Sequence, residues 1–211
     1  MAGATGLVGR EVLAALSIDS RYTSVVALVR RAATLQQHPK LTSIQVDFGQ
    51  LPDLQKVDDV YIALGTTIKV AGSQAAFRAV DHDAVLAVAT AARKAGATRL
   101  GVVSAMGADA RSAIFYNRVK GEMEQALAAL GFESLMIARP SMLDGDRATL
   151  AQPARLGERL GLTVMAALKP LIPANYRAIK ASDVARALVT AVLQGKPGRD
   201  VILSGAMQPL T

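Results

Sequence analysis

With 211 residues, 51% of them hydrophobic and 19% charged, the chain is long enough to bury a core and too apolar to be disordered. The absence of cysteine excludes disulfides and thiolate metal sites and fits a cytosolic setting. The net charge of +7 comes from scattered basic residues with few aromatics to stack on bases. A small polyanionic ligand therefore accounts for it as well as a nucleic acid does, and nucleic acid binding is the weaker reading.

The chain opens on Met1-Ala2 and runs straight into Gly3-Ala4-Thr5-Gly6-Leu7-Val8-Gly9, with no signal-peptide pattern. This G-x-x-G-x-x-G spacing ahead of an amphipathic segment, Leu7–Leu16, predicts a loop that cradles a pyrophosphate. Gly3 permits the tight turn, Gly6 lets backbone N–H groups approach the phosphates, and Gly9 lets the helix pack closely. Thr5, Leu7 and Val8 complete the candidate loop. A first strand normally needs about five residues, so the sequence predicts either a stub here or apolar residues upstream of Met1.

Val25–Val29 reads as a buried strand, and Arg30-Arg31 follow it. An acidic residue at this place would hold a ribose 2′-hydroxyl, whereas arginine suits a 2′-phosphate. Arg30 and Arg31 therefore favour NADP over NAD, with Arg10 near enough to contribute; the rival reading leaves one or both on the solvated surface. Ile44–Val46 is the next strand. Asp47 after it is placed either to accept from an adenine amino group or to close an ordinary turn.

Val60–Leu64, Leu100–Val103 and Leu135–Ala138 follow as short strands, with helical patterns over Gln74–Ala95, Ala113–Leu130 and Asp183–Leu193. Ser73 and Ser182 are expected N-caps, and Gly96 and Gly131 expected helix ends. The alternation predicts an α/β fold with a doubly wound, mostly parallel sheet of Rossmann type, as one domain over residues 1–211. Residues 144–182 are expected to form a small substrate-covering segment, with the apolar Leu156–Ile172 as lid or core. No apolar run reaches the roughly 20 residues of a membrane span. Asp81-His82-Asp83 is read as a solvated helix face rather than a metal site, because consecutive helical residues point apart. His38 stands alone in a polar loop.

Two tyrosines precede a lysine by four residues: Tyr116–Lys120 in Phe115-Tyr116-Asn117-Arg118-Val119-Lys120, and Tyr176–Lys180. The first pair falls in a helical pattern and shares one face. There the ammonium favours phenolate and brings a phenol toward acid–base work at neutral pH. Ser104, closing Gly101-Val102-Val103-Ser104, is placed to hydrogen-bond a substrate carbonyl from the other side, with Ser112 as the fallback. The second pair follows Pro173 and is expected to be extended, about 13 Å apart along the chain. Gly121 inside the helix predicts close approach by another helix, of this subunit or of a homodimer partner.

These strings resemble the short-chain dehydrogenase/reductases, in their extended and atypical branches. The likeness lies in the glycine loop, in "VVSA", in Y-x-x-x-K, in "ARPSMLDGDR" and in "IKASDVARAL". "LGTTIKVAGSQAAFRAVD" and "SAMGADARSAIFYNRVKGEMEQ" are similar to the Tat-interacting-protein-like atypical branch. The resemblance implies that Gly65, Thr66 and Thr67 line the cofactor near its ribose and that Pro140 and Ser141 sit by the nicotinamide. Asp81 departs from the asparagine that extended members usually carry. The expected function is an NADP(H)-dependent oxidoreductase acting on a carbonyl or alcohol of a small molecule. The alternatives are a nucleotide-binding regulatory module without turnover, as several relatives are, and an epimerase using the same residues.

Overall fold

The computed structural model describes residues 1–32, 35–144 and 173–209. Two parallel blocks make the sheet. β1 (Val25–Val29) pairs with β2 (Leu41–Gln45), while β3 (Asp59–Ile62), β4 (Arg99–Val103), β5 (Ser134–Arg139) and β8 (Gly198–Leu203) pair in that order. Met1 and Ala2 join the blocks. Ala2 bridges Leu28 on one side and Ile62 on the other, donating to the Tyr61 carbonyl and accepting from Ala63 N–H, each at 2.9 Å. The order is thus β2, β1, Met1–Ala2, β3, β4, β5, β8, with every pairing parallel. This is the doubly wound α/β architecture, with Met1 and Ala2 at its centre. A separate two-residue pair, β6 (Leu143–Asp144) with β7 (Ile179–Lys180), lies outside that sheet.

Strand alternation sends side chains into two cores, one per face. On one face, Ala27 and Tyr61 meet Val8, Val12 and Leu16 of α1 (Leu7–Ile18) and Val184, Leu188 and Val192 of α6 (Ala181–Gln194). On the other, Leu28, Val60, Ile62, Leu100 and Val102 meet Val85 and Val88 of α4 (Ala84–Lys94) and Met123 and Leu127 of α5 (Phe115–Ala128). Each fully buried aliphatic side chain contributes about 1.5–3 kcal/mol. Both helix layers therefore press on one sheet, and the loops at its carboxyl edge are held from both sides.

Several local expectations change. The helix expected over Gln74–Ala95 is three pieces: α3 (Gln74–Arg78), a π turn (Ala79–Asp83) and α4. Ser73 caps α3 by accepting from Ala76 N–H at 3.1 Å, as expected. Ser182 does not cap α6; the helix starts earlier, with Lys180 at the N-cap position. Gly121 is approached by a loop, not by a helix. A Cβ there would lie 2.1 Å from Ala110 N. β8 was not expected, because Gly198-Arg199-Asp200 opens it without an apolar pattern. Short helices α2 (Ile68–Ala71) and α7 (Ser204–Met207) complete the described elements. No helix among the described residues is long and apolar enough to cross a membrane. Residues 145–172, which carry most of the expected covering segment and Leu156–Ile172, lie outside the described residues.

Candidate active site

The glycine loop is built by backbone contact. Gly3 has φ +89°, and a Cβ on it would lie 2.5 Å from the Ala63 carbonyl; one on Gly9 would lie 1.8 Å from Gly3 O. Loop, α1 and the segment after β3 are thereby locked together. Gly6 differs: the nearest protein atom to its Cβ position is Gly3 O, at an ordinary 3.5 Å. The protein itself does not require glycine there. Gly6 is the N-cap of α1, which has no side-chain cap and no acid in its first turn. An N-terminus left this way suits a diphosphate, so the loop fits a dinucleotide. Thr5 is exposed beside it, whereas Val8 is 5% exposed and belongs to the core. Leu7 and Val8 can offer backbone amides only.

Arg30 and Arg31 are exposed at the carboxyl end of β1. Arg30 shares an open cleft with Gln45, Val46 and Asp47. Asp47 closes a turn, its Oδ1 accepting from Gly49 N–H at 2.9 Å, which is the second of its two expected roles.

The segment after β3 runs over a buried ion pair that the sequence did not reveal. Lys120 Nζ lies 2.8 Å from Asp81 Oδ1, with side chains 4% and 1% exposed. The approach is out of hydrogen-bonding alignment, leaving Oδ1 held by charge alone. Asp81 Oδ2 accepts from Thr66 N–H at 2.8 Å, and a Cβ on Gly65 would lie 3.4 Å from Asp81 Oδ1 and 4.0 Å from Lys120 Nζ. Thr67 caps α2, accepting from Val70 N–H at 3.2 Å. Asp81 is therefore not a solvated residue. Of its neighbours, His82 contacts Asp83 at 2.7 Å, and no metal-binding cluster stands among the described residues. The signal was present in register: Asp81 stands four residues after the buried Phe77 and four before the buried Val85.

Tyr116 sits one turn before Lys120 on α5, its ring 5.4 Å from that of Phe77. Its phenol is pushed above the ordinary value, chiefly by burial; Lys120 acts to lower it and Asp81 to raise it. The expected net acidification by lysine does not hold, because burial outweighs the ammonium and Asp81 opposes it further. Ser104 also departs from expectation. Its hydroxyl donates to Glu124 Oε1 at 2.6 Å, and Glu124 is clamped by Arg139 and by Arg199, whose Nη2 atoms lie 2.6 and 2.9 Å from Oε2. Ser112 accepts from Ile114 N–H at 3.1 Å. Pro140 is buried after β5, its carbonyl accepting from Met106 N–H at 3.0 Å. Ser141 Oγ donates to the Arg177 carbonyl and lies 2.9 Å from Ser204 Oγ. The second pair is split: Tyr176 ends a 3-10 turn, 63% exposed, and Lys180 closes β7.

A family model described as NAD(P)H-binding matches residues 3–194. Protein fmp52, mitochondrial, of Emericella nidulans is 38% identical over 154 residues, covering 69% of this chain and 66% of that protein, just under two thirds of its length. Protein fmp52, mitochondrial, of Aspergillus fumigatus is 33% identical over 208 residues, 93% and 87% of the two chains. Protein HTATIP2 of Rattus norvegicus is 30% identical over 207 residues, 95% and 83%. The mitochondrial relatives overturn the cytosolic expectation, since lack of cysteine does not separate these compartments. Among solved structures, MoeE5 in complex with UDP-glucuronic acid and NAD superposes with TM-score 0.73 at 20% identity, over 97% of this chain and 75% of that one. UDP-N-acetylglucosamine 4-epimerase from Methanobrevibacter ruminantium M1 gives 0.71 at 15%, over 96% and 74%. At such identities these two share the fold.

Proposed function

Because this chain belongs to the NAD(P)H-binding family, near the HTATIP2 branch of the atypical short-chain dehydrogenase/reductases, we propose that it is an NADP(H)-dependent oxidoreductase acting on a carbonyl or alcohol group of a small molecule. The observation that carries the reading is contiguity. Gly3 packs on Ala63, Gly65 follows two residues on, and Gly65 abuts Lys120, which shares a helix face with Tyr116. A phosphate-binding loop and a proton-transfer pair therefore border one site.

Gly3, Thr5, Gly6 and the amides of Leu7, Val8 and Gly9 would hold the diphosphate. Arg30, Arg31 and Asp47 would hold the adenosine end, and Gly65, Thr66, Thr67, Pro140 and Ser141 the nicotinamide riboside. When bound, the cofactor supplies or accepts the hydride. Tyr116 gives or takes the proton at the substrate oxygen, and Lys120 holds charge beneath it.

Ser104 favours a second reading. Its hydroxyl is committed to Glu124, which suits a nucleotide-binding regulator without turnover. Calorimetric titration with NADPH and NADH, then a carbonyl screen followed at the NADPH absorbance, separates the readings. Tight NADPH binding with turnover supports the oxidoreductase; binding without turnover across a broad screen supports the regulator.

A further inference from the structure

We propose that Asp81 is a positioning residue that fixes Lys120 and balances its charge, so that Tyr116 meets substrate as a neutral phenol and the site is set to reduce a carbonyl. The inference rests on the oxidoreductase reading.

The geometry is specific. A π turn is rarely kept in a helix and recurs at functional sites. Here it spans Ala79–Asp83 and buries Asp81 at its centre. One carboxylate oxygen meets the Lys120 ammonium at 2.8 Å, and the other holds Thr66 N–H at 2.8 Å. A single side chain thus ties the proton-transfer helix to the segment assigned to the cofactor ribose. Gly65 leaves the pair directly under that backbone. Buried ion pairs are a poor source of stability, because desolvation offsets the attraction, so stability alone gives little reason for this one.

At the phenol, Asp81 offsets part of the effect of Lys120. Among the described residues, Lys120 on α5 and Asp81 on the π turn are the charged groups acting on Tyr116. Arg78 on α3 is paired with Glu122. An unbalanced Lys120 would stabilise phenolate, the base needed to oxidise an alcohol. Burial chiefly keeps the proton on the phenol, the form needed to donate, and Asp81 adds to this by opposing Lys120. In that direction the Tyr116 O–H bond breaks as an O–H bond forms on the substrate oxygen. The carbonyl carbon gains two electrons and one hydrogen as hydride from a reduced nicotinamide dinucleotide. Phenolate then recovers its proton from water.

The test is a phenolate titration by ultraviolet absorbance on protein without nucleotide, unobscured because the chain has no tryptophan. Subtracting Tyr116→Phe from the native curve isolates Tyr116, and each variant receives the same blank. Asp81→Asn is expected to shift the Tyr116 midpoint down and Lys120→Met to shift it up; an unmoved or raised midpoint in Asp81→Asn overturns the proposal. If Asp81→Asn does not fold, Asp81→Asn/Lys120→Met is compared with Lys120→Met and must titrate lower, or the proposal falls. With a substrate from the carbonyl screen, native kcat/KM for reduction should stay level to about pH 10, the ordinary phenol value. Its alkaline fall should come earlier in Asp81→Asn; coincident profiles count against the proposal. Midpoints that move as expected without turnover of any carbonyl reject the oxidoreductase reading and the direction with it, while the charge role of Asp81 stands.

Discussion

Tyr116 and Tyr176 are each followed four residues later by a lysine, and only Tyr116 stands with its lysine on one helix face. Tyr116→Phe removes the hydroxyl proposed to serve the substrate oxygen and keeps the ring contact with Phe77. Turnover should fall by about 10²–10⁴-fold, the usual worth of general acid–base catalysis, with nucleotide affinity nearly unchanged. Tyr176→Phe, at an exposed turn, should leave turnover within about twofold of native, as expected of a surface change worth under about 0.5 kcal/mol. Steady-state rates on both variants check the pair; greater loss in Tyr176→Phe would move the site. Helical spacing made Tyr116 and Lys120 legible in the sequence. Asp81 was misread because an acid beside a histidine and a second acid looks solvated. Only its spacing from Phe77 and Val85 shows that it faces inward. The hydrogen bond of Ser104 was not legible, because its partner, Glu124, lies on α5 and no local pattern links the two.

Among the elements, the glycine loop and α1 offer the sharpest contrast. Gly9→Ala would drive a methyl to 1.8 Å from Gly3 O, a backbone atom that cannot swing aside. Overpacking typically costs about 1–3 kcal/mol, so the melting temperature should drop and nucleotide binding weaken together. Gly6→Ala meets Gly3 O at an ordinary 3.5 Å and keeps a φ of −79° that alanine adopts. It should melt close to native while nucleotide affinity falls, because its methyl enters the space proposed for the diphosphate. Thermal melting and calorimetry on both variants separate packing from binding. β1 was readable as an unbroken apolar run buried on both faces. β8 escaped because Gly198-Arg199-Asp200 carry no such run and lie at the sheet's edge. The π turn escaped because one extra residue in a helical turn changes register without changing residue type.

At the scale of the molecule, a charge of +7 faces an anionic nucleotide. Arg30→Ala/Arg31→Ala should erase most of a preference for NADPH over NADH, and the native preference should shrink with added salt as exposed contacts are screened. Equal native affinities for the two nucleotides would reject the NADP assignment. Net charge should also quicken association at low ionic strength. The loop proposed to receive the diphosphate holds its own shape: Gly6 N–H donates to Gly3 O at 3.0 Å and Arg10 N–H to Gly6 O at 3.0 Å. Little backbone freedom remains there to be lost when a ligand arrives, which is what preorganisation means for affinity. Capture of NADPH should then be a single encounter with no slower ordering phase behind it. In a stopped-flow experiment the observed rate should rise linearly with nucleotide concentration, and a plateau would mean that this cradle must first be made.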